Sequence, residues 1–300
     1  MSMTRTQRPG DELDLAAEQG RICALAAKGQ RDLQRAAAAH PDLFSARPFD
    51  PALFSSIALA MAFSAPTCTV DELRFANRAV LWGFAVDWQV DYLAKSREDV
   101  DRVVADTLAV VDGAAPGAED ALGRFLAELR DELARTPGYA RARGVWREEV
   151  ARTLAAMARE WDWREATAGG RPPSYEEYLD NADNLACTVV NVAHWIRTGD
   201  AGVHDRLPEL VAASDEVQRV LRLVNDLATH DRDREWGDLN AITLVGDADE
   251  VARRAAALTA RCRETLADLA GRFPREADYL TRQLGYTSGF YGSTDFWGAR

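Results

Sequence analysis

No stretch of this 300-residue chain alternates polar with apolar residues for long enough to suggest a sheet. Its four cysteines (Cys23, Cys68, Cys187 and Cys262) are far apart and form no C-x-x-C pair. That spacing argues for reduced core residues rather than a disulfide frame or a zinc site. The longest apolar run, around Ile57 to Phe63, is far too short to span a bilayer. Residues 1–10 are polar and carry no apolar segment of a secretory signal. No repeat or low-complexity tract interrupts the alanine-rich background. Basic residues are outnumbered, 36 Lys and Arg against 48 Asp and Glu, for a net charge of −12. That excess disfavours nucleic acid or an anionic membrane surface as the main partner and leaves room for a local basic pocket that takes a phosphate. These absences predict a soluble cytoplasmic protein with a disordered tail over 1–10 and one domain over 11–300.

What is present is helix. Ala, Leu, Arg and Glu dominate, apolar residues recur at three and four, and 47% hydrophobic composition suffices for a buried core. The pattern predicts helices over 11–28, 29–39, 50–64, 71–95, 98–112, 118–135, 140–166, 174–198, 205–231, 247–271 and 273–289. Pro41, Pro48, Pro66, the A-A-P-G at 114–117, Pro137-Gly138 and the G-G-R-P-P at 169–173 mark breaks. The expected fold is all-α: one domain of ten or more helices. Segments 80–92 and 185–196 are apolar on more than one face, as inner helices of a bundle are.

Two stretches on such helices carry chemistry. In N-D-L-A-T-H-D-R-D-R-E, Asn225, Thr229 and Asp233 stand four apart and share one helical face. An amide oxygen, a hydroxyl and a carboxylate are the hard donors that Mg²⁺ prefers. Arg232 sits beside the last of them, where a fixed cation can hold an anion bound to the metal; Arg222, three residues before Asn225, lies near the same face. In F-A-V-D-W-Q-V-D-Y, Asp87 and Asp91 are again four apart, on an otherwise apolar and aromatic segment. Two carboxylates on a mostly buried helix are costly unless a cation pairs with them. His194 reads as a satisfied core or cavity residue.

Together the two stretches resemble class I terpene synthases, which carry a D-D-x-x-D motif and, later, N-D-x-x-S/T-x-x-x-E. Asp233 stands where that second motif has Glu, and Trp88 replaces the middle aspartate of the first. The order of the motifs, the chain length and the G-D-L-N at Gly237 to Asn240 also fit the bacterial members. The resemblance implies a helical bundle around a central cavity. It also implies a cluster of Mg²⁺, three ions in number, held by Asp87, Asp91, Asn225, Thr229 and Asp233. A prenyl diphosphate would be gripped by Arg232 and, less directly, by Arg222. Aromatics near these motifs, with Phe84, Trp88, Trp195, Tyr286, Phe290 and Phe296 foremost, would line a cavity that stabilises a carbocation.

Other matches refine this picture. Aligning E-Y-L places Ala182 where many bacterial members have an arginine that senses diphosphate, and Ala186 where they have a small effector residue lining the cavity. S-Y-E-E-Y-L-D-N and the terminal S-T-D-F, which replaces the usual R-Y pair with Asp295 and Phe296, look like labdane-related, ent-kaurene-synthase-like diterpene synthases. Such enzymes take a copalyl-type bicyclic diphosphate from an upstream class II cyclase or a linear one from a prenyltransferase, and a homodimer is possible. No D-x-D-D motif marks a class II activity here; E-D-V-D at 98–101 reads as a solvated helix start. The alternatives are a geranylgeranyl diphosphate cyclase, a sesquiterpene synthase using farnesyl diphosphate, or a catalytically silent helical protein; a chain-coupling prenyltransferase resembles this fold but carries two aspartate-rich motifs, and the N-D-x-x-T-x-x-x-D pattern argues against it.

Overall fold

A computed structural model describes residues 9–167 and 171–297. The tail expected over 1–10 lies outside the described residues up to residue 8, and Pro9 already opens the first helix. That helix, α1 (Pro9–Ala39), runs through the expected break at 28–29. Gly29 is there for proximity. A Cβ on it would stand 2.5 Å from Asn77 Nδ2 and 3.3 Å from the Ala58 Cβ, so the missing side chain lets neighbouring helices approach.

A short α2 (Pro41–Phe44) leads to α3 (Pro51–Ser64), which starts where Asp50 accepts from the Ala52 and Leu53 amides at 2.8 and 2.9 Å. Next, α4 (Val70–Trp88) opens on a Thr69–Glu72 capping box and passes into a π-helical turn, Gln89–Leu93. The sequence continues with α5 (Arg97–Val111), α6 (Ala121–Ala134) and α7 (Tyr139–Thr167).

The helix expected over 174–198 is not continuous. It divides into α8 (Tyr175–Asp180), a 3₁₀ turn (Ala182–Leu185) and α9 (Cys187–Thr198). The break lies at Ala186, the one described non-glycine residue with positive φ, 56°. Beyond α10 (Ala201–Asp205), α11 (Leu207–Trp236) extends five residues past its expected end, and Gly237 at φ 78° stops it. The chain ends in α12 (Ala241–Val245), α13 (Ala248–Ala270) and α14 (Pro274–Tyr291).

No strand occurs among the described residues, as the lack of alternation predicted. The packing puts α4 against α1, α3 and α9, and α11 against α9, α13 and α14. Leu33, Ile57, Leu81, Val192, Leu210 and Leu280 are wholly enclosed in the core between them. Apolar burial of this kind fixes where the polar faces of α4, α7 and α11 can point. They point at one cavity.

Candidate active site

The cavity measures about 240 Å³ and draws its walls from α3, α4, α7, the Asn184–Cys187 break, α11, α14 and the segment after α14. On one side Asp87 sits near the end of α4 and Asp91 in the π turn. That turn closes with the Ala94 amide on the Gln89 carbonyl at 2.9 Å, five residues back rather than four. Such a turn is wider than an α-turn and re-aims the side chain it carries. Burial, with Asp91 and other carboxylates nearby, pushes the Asp87 carboxyl well above the ordinary range. Asp91 is pushed to about 6, chiefly by burial, although the Arg164 guanidinium opposes the rise. Both are carboxylates short of positive charge.

Opposite them, Asn225 and Asp233 of α11 line the cavity. Thr229 stands between them but is buried and outside the lining. Its hydroxyl lies 2.6 Å from Asp233 Oδ2 and 2.9 Å from the Asn225 carbonyl oxygen, and its single proton can serve one of them at a time. Asp233 also accepts from Asn240 Nδ2 at 2.9 Å and from Arg232 at 3.1 Å. Arg232 reaches Asp295 at 2.8 Å and lies over the Trp236 ring, tying the segment after α14 to α11.

Several residues of the site escaped the sequence reading. Asp226, next to the first donor of α11, is held by Tyr178 Oη at 2.9 Å and the Ala241 amide at 3.0 Å; burial lifts its carboxyl to about 7. On α7, Glu160 and Arg164 are four apart and both face the cavity. Glu160 accepts from Arg222 at 2.9 Å, and Arg164 bonds Asp91 at 2.7 Å and Asp238 at 3.2 Å. The only local signals were the neighbouring positions in N-D and G-D-L-N; nothing local marks Glu160 or Arg164. Arg222, expected to contact the diphosphate, lines the cavity, but its Nε donates to Tyr178 Oη at 2.6 Å and Asp226 is 3.5 Å away. Its guanidinium is therefore committed to holding the wall.

The aromatic expectations divide. Phe84, Ala186 and Phe296 line the cavity, joined by Tyr92, Tyr291 and Trp297. Trp88, Trp195, Tyr286 and Phe290 stand outside its lining. Trp195 is 1% exposed and packs edge-on against Tyr279 in the core behind α9. Tyr286 stacks on Phe63, while Phe290 supports Phe296 from behind at 4.5 Å. Trp88 turns to Phe49, Tyr92 and Trp297, because the residue after Asp87 points about 100° away on a helix. Ala182, 3% exposed, is also outside the lining.

The donor set fits Mg²⁺ in halves. Among the described residues no three His, Cys, Asp or Glu side chains converge on one point. Two half-sites of hard oxygen face one cavity instead, and Mg²⁺ is commonly held by one or two carboxylates together with water and substrate phosphates. The lining holds seven carboxylates (Asp87, Asp91, Glu160, Asp226, Asp233, Asp238, Asp295) and three guanidiniums (Arg164, Arg222, Arg232), a formal balance of −4. Such a cavity calls for cations.

Residues 78–267 match the model of terpene synthase family 2, C-terminal metal binding. The chain is 28% identical over 281 residues to ent-pimara-9(11),15-diene synthase of Streptomyces sp. (strain KO-3988), covering 92% of this chain and 93% of the relative. In fold it is similar to 2-methylisoborneol synthase from Streptomyces coelicolor A3(2) in complex with Mg²⁺ and 2-fluorogeranyl diphosphate. That match has a TM-score of 0.71 at 18% identity, over 92% of this chain and 93% of that one. Linalool/nerolidol synthase from Streptomyces clavuligerus gives 0.68 at 17%, over 88% and 94%.

Proposed function

The chain belongs to terpene synthase family 2, and from that premise we propose that it is a class I diterpene synthase preferring a copalyl-type bicyclic C20 diphosphate. It is an enzyme, a lyase acting on a prenyl diphosphate. The reaction breaks the C–O bond heterolytically: the electron pair leaves with the diphosphate and a carbocation stays in the cavity. Mg²⁺ bound by Asp87 and Asp91 on one wall and by Asn225, Thr229 and Asp233 on the other would supply the Lewis-acid pull on the leaving group.

The protein's own residues do the rest. Asn240 and Thr229 orient the Asp233 carboxylate, and Tyr178 and the Ala241 amide fix Asp226 beneath it. Arg232 offers the diphosphate a guanidinium already seated at the mouth of the α11 half-site. Phe84, Tyr291, Phe296 and Trp297 line the cavity, where aromatic rings stabilise developing positive charge and exclude water from it. The resemblance implies three metal ions, and a lining of seven carboxylates against three guanidiniums has the anionic surplus to hold more than one divalent ion.

The observation that carries the reading is the pair of oxygen half-sites facing one acid-rich, aromatic-lined cavity. The C20 preference is supported by the relative named for a pimaradiene, a tricyclic C20 hydrocarbon, matched along 92% of this chain. It is also supported by Ala182: with no cation there, a substrate already folded into rings suits the site better than a linear one that must be ordered first. A class II cyclase would supply that substrate.

The test is catalytic efficiency on copalyl-type, geranylgeranyl and farnesyl diphosphates at equal Mg²⁺, with products identified by mass. The copalyl-type substrate should turn over fastest; faster turnover of farnesyl diphosphate replaces this reading with a sesquiterpene synthase. Asn225→Ala and Asp233→Ala should lose most turnover, on the order of 10²-fold or more, with helical circular dichroism unchanged. Full activity in either variant or in excess chelator removes the metal site.

A further inference from the structure

Arg164 joins the two half-sites. One guanidinium nitrogen donates to Asp91 in the π turn after α4 at 2.7 Å, and the other to Asp238, just beyond α11, at 3.2 Å. The side chain is 18% exposed, lines the cavity and rests on the Trp161 ring with its centroid 5.3 Å from the guanidinium carbon. The other two cavity arginines are placed differently. Arg222 is enclosed by Glu160, Tyr178 and Asp226. Arg232 bonds Asp233 and Asp295, neither of which belongs to the α4 wall.

A guanidinium on Asp91 and a divalent ion beside it compete for the same carboxylate and repel each other. The planar fork of arginine suits two acceptors in a fixed geometry, which a diphosphate offers as well as a pair of aspartates does. We propose that Arg164 is a latch: it bridges Asp91 and Asp238 in the metal-free protein and passes to the diphosphate on loading. Metal and diphosphate then bind as a coupled pair. The latch rests on the functional reading above and adds to it an order of events and a residue that enforces it. By linkage the coupling is reciprocal, so each ligand raises the affinity for the other by the same factor.

Isothermal titration of the full chain with Mg²⁺, alone and in the presence of inorganic pyrophosphate, and with pyrophosphate in saturating Mg²⁺, tests it without turnover. In the wild type pyrophosphate should raise Mg²⁺ affinity about tenfold or more. Arg164→Gln should bind Mg²⁺ alone several-fold more tightly and pyrophosphate several-fold more weakly, so that the coupling shrinks. Arg164→Lys keeps the charge but lacks the fork; it should leave Mg²⁺ binding near the wild-type value and only partly restore pyrophosphate binding. Opposite signs are the signature, because a side chain that merely braced the walls would weaken both on removal. Both affinities falling together, or neither changing in variants with wild-type circular dichroism, overturns the latch. If Arg164→Gln fails to fold, Arg164→Lys decides: Mg²⁺ binding near the wild-type value with weakened pyrophosphate binding supports the latch, and both weakened or neither changed overturns it. Wild-type protein that binds no pyrophosphate with Mg²⁺ overturns the functional reading and the latch with it.

Discussion

Trp88 shows how far one position departs from its family's pattern without vacating the site. It interrupts the first aspartate motif, yet its ring is placed among Phe49, Tyr92 and Trp297 rather than in the cavity lining. Trp88→Asp restores the motif in letters but adds a charge beside Asp87, whose carboxyl already resists ionisation. We expect no gain in Mg²⁺ affinity by calorimetry and a loss of roughly 3 kcal/mol in denaturant titration; a large rise in affinity refutes this. The places of Asn225 and Asp233 on one cavity wall are legible because residues at i and i+8, two steps of four, share a helix face. Arg164 was not, since its partner Asp91 is 73 residues away and Arg164 reads as an ordinary surface cation on a long helix. Asn240 and Asp238 were visible only as part of a family string. What they do, one steadying Asp233 and the other anchoring Arg164, depends on how α11 ends.

At the level of elements, periodicity located the long helices well and missed their interruptions. It divides α1 at a glycine that serves close packing, and it makes 174–198 continuous because every residue in it tolerates helix. The break at Ala186 has no sequence mark: an alanine there takes a left-handed backbone, where glycine is the usual occupant. Burial on both sides enforces it, with Ala182 and Ala186 enclosed and the Ala186 Cβ 3.5 Å from where a Cβ on Gly83 would sit. Ala186→Gly should relieve about 1 kcal/mol of backbone cost, raising the melting temperature by roughly 2 °C. Ala186→Val should lower it and narrow the cavity. An unchanged or lower melting temperature for the glycine variant means that the break is not strained.

Across the whole molecule, burial sets a response to acid. His194 is enclosed, stacks on Tyr279 at 4.9 Å, and its Nδ1 has no hydrogen-bond partner; it is neither the satisfied core residue nor the cavity residue that was expected. Burial lowers its pKa from 6.5 to about 4. The unfolded chain therefore binds a proton that the folded one refuses between those values. The stability at stake is fully present above pH 6.5 and is lost as pH falls toward 4, about 2 kcal/mol of it by pH 5. His194→Gln should flatten that part of the curve; parallel wild-type and variant curves from pH 7 to 5 would contradict it. No described helix is long and apolar enough to cross a membrane. The cavity walls come from residues as far apart as Ala60 and Trp297. A chain whose synthesis has not passed residue 297 thus lacks the aromatic wall supplied by Phe296 and Trp297, and with it the enclosure a carbocation needs.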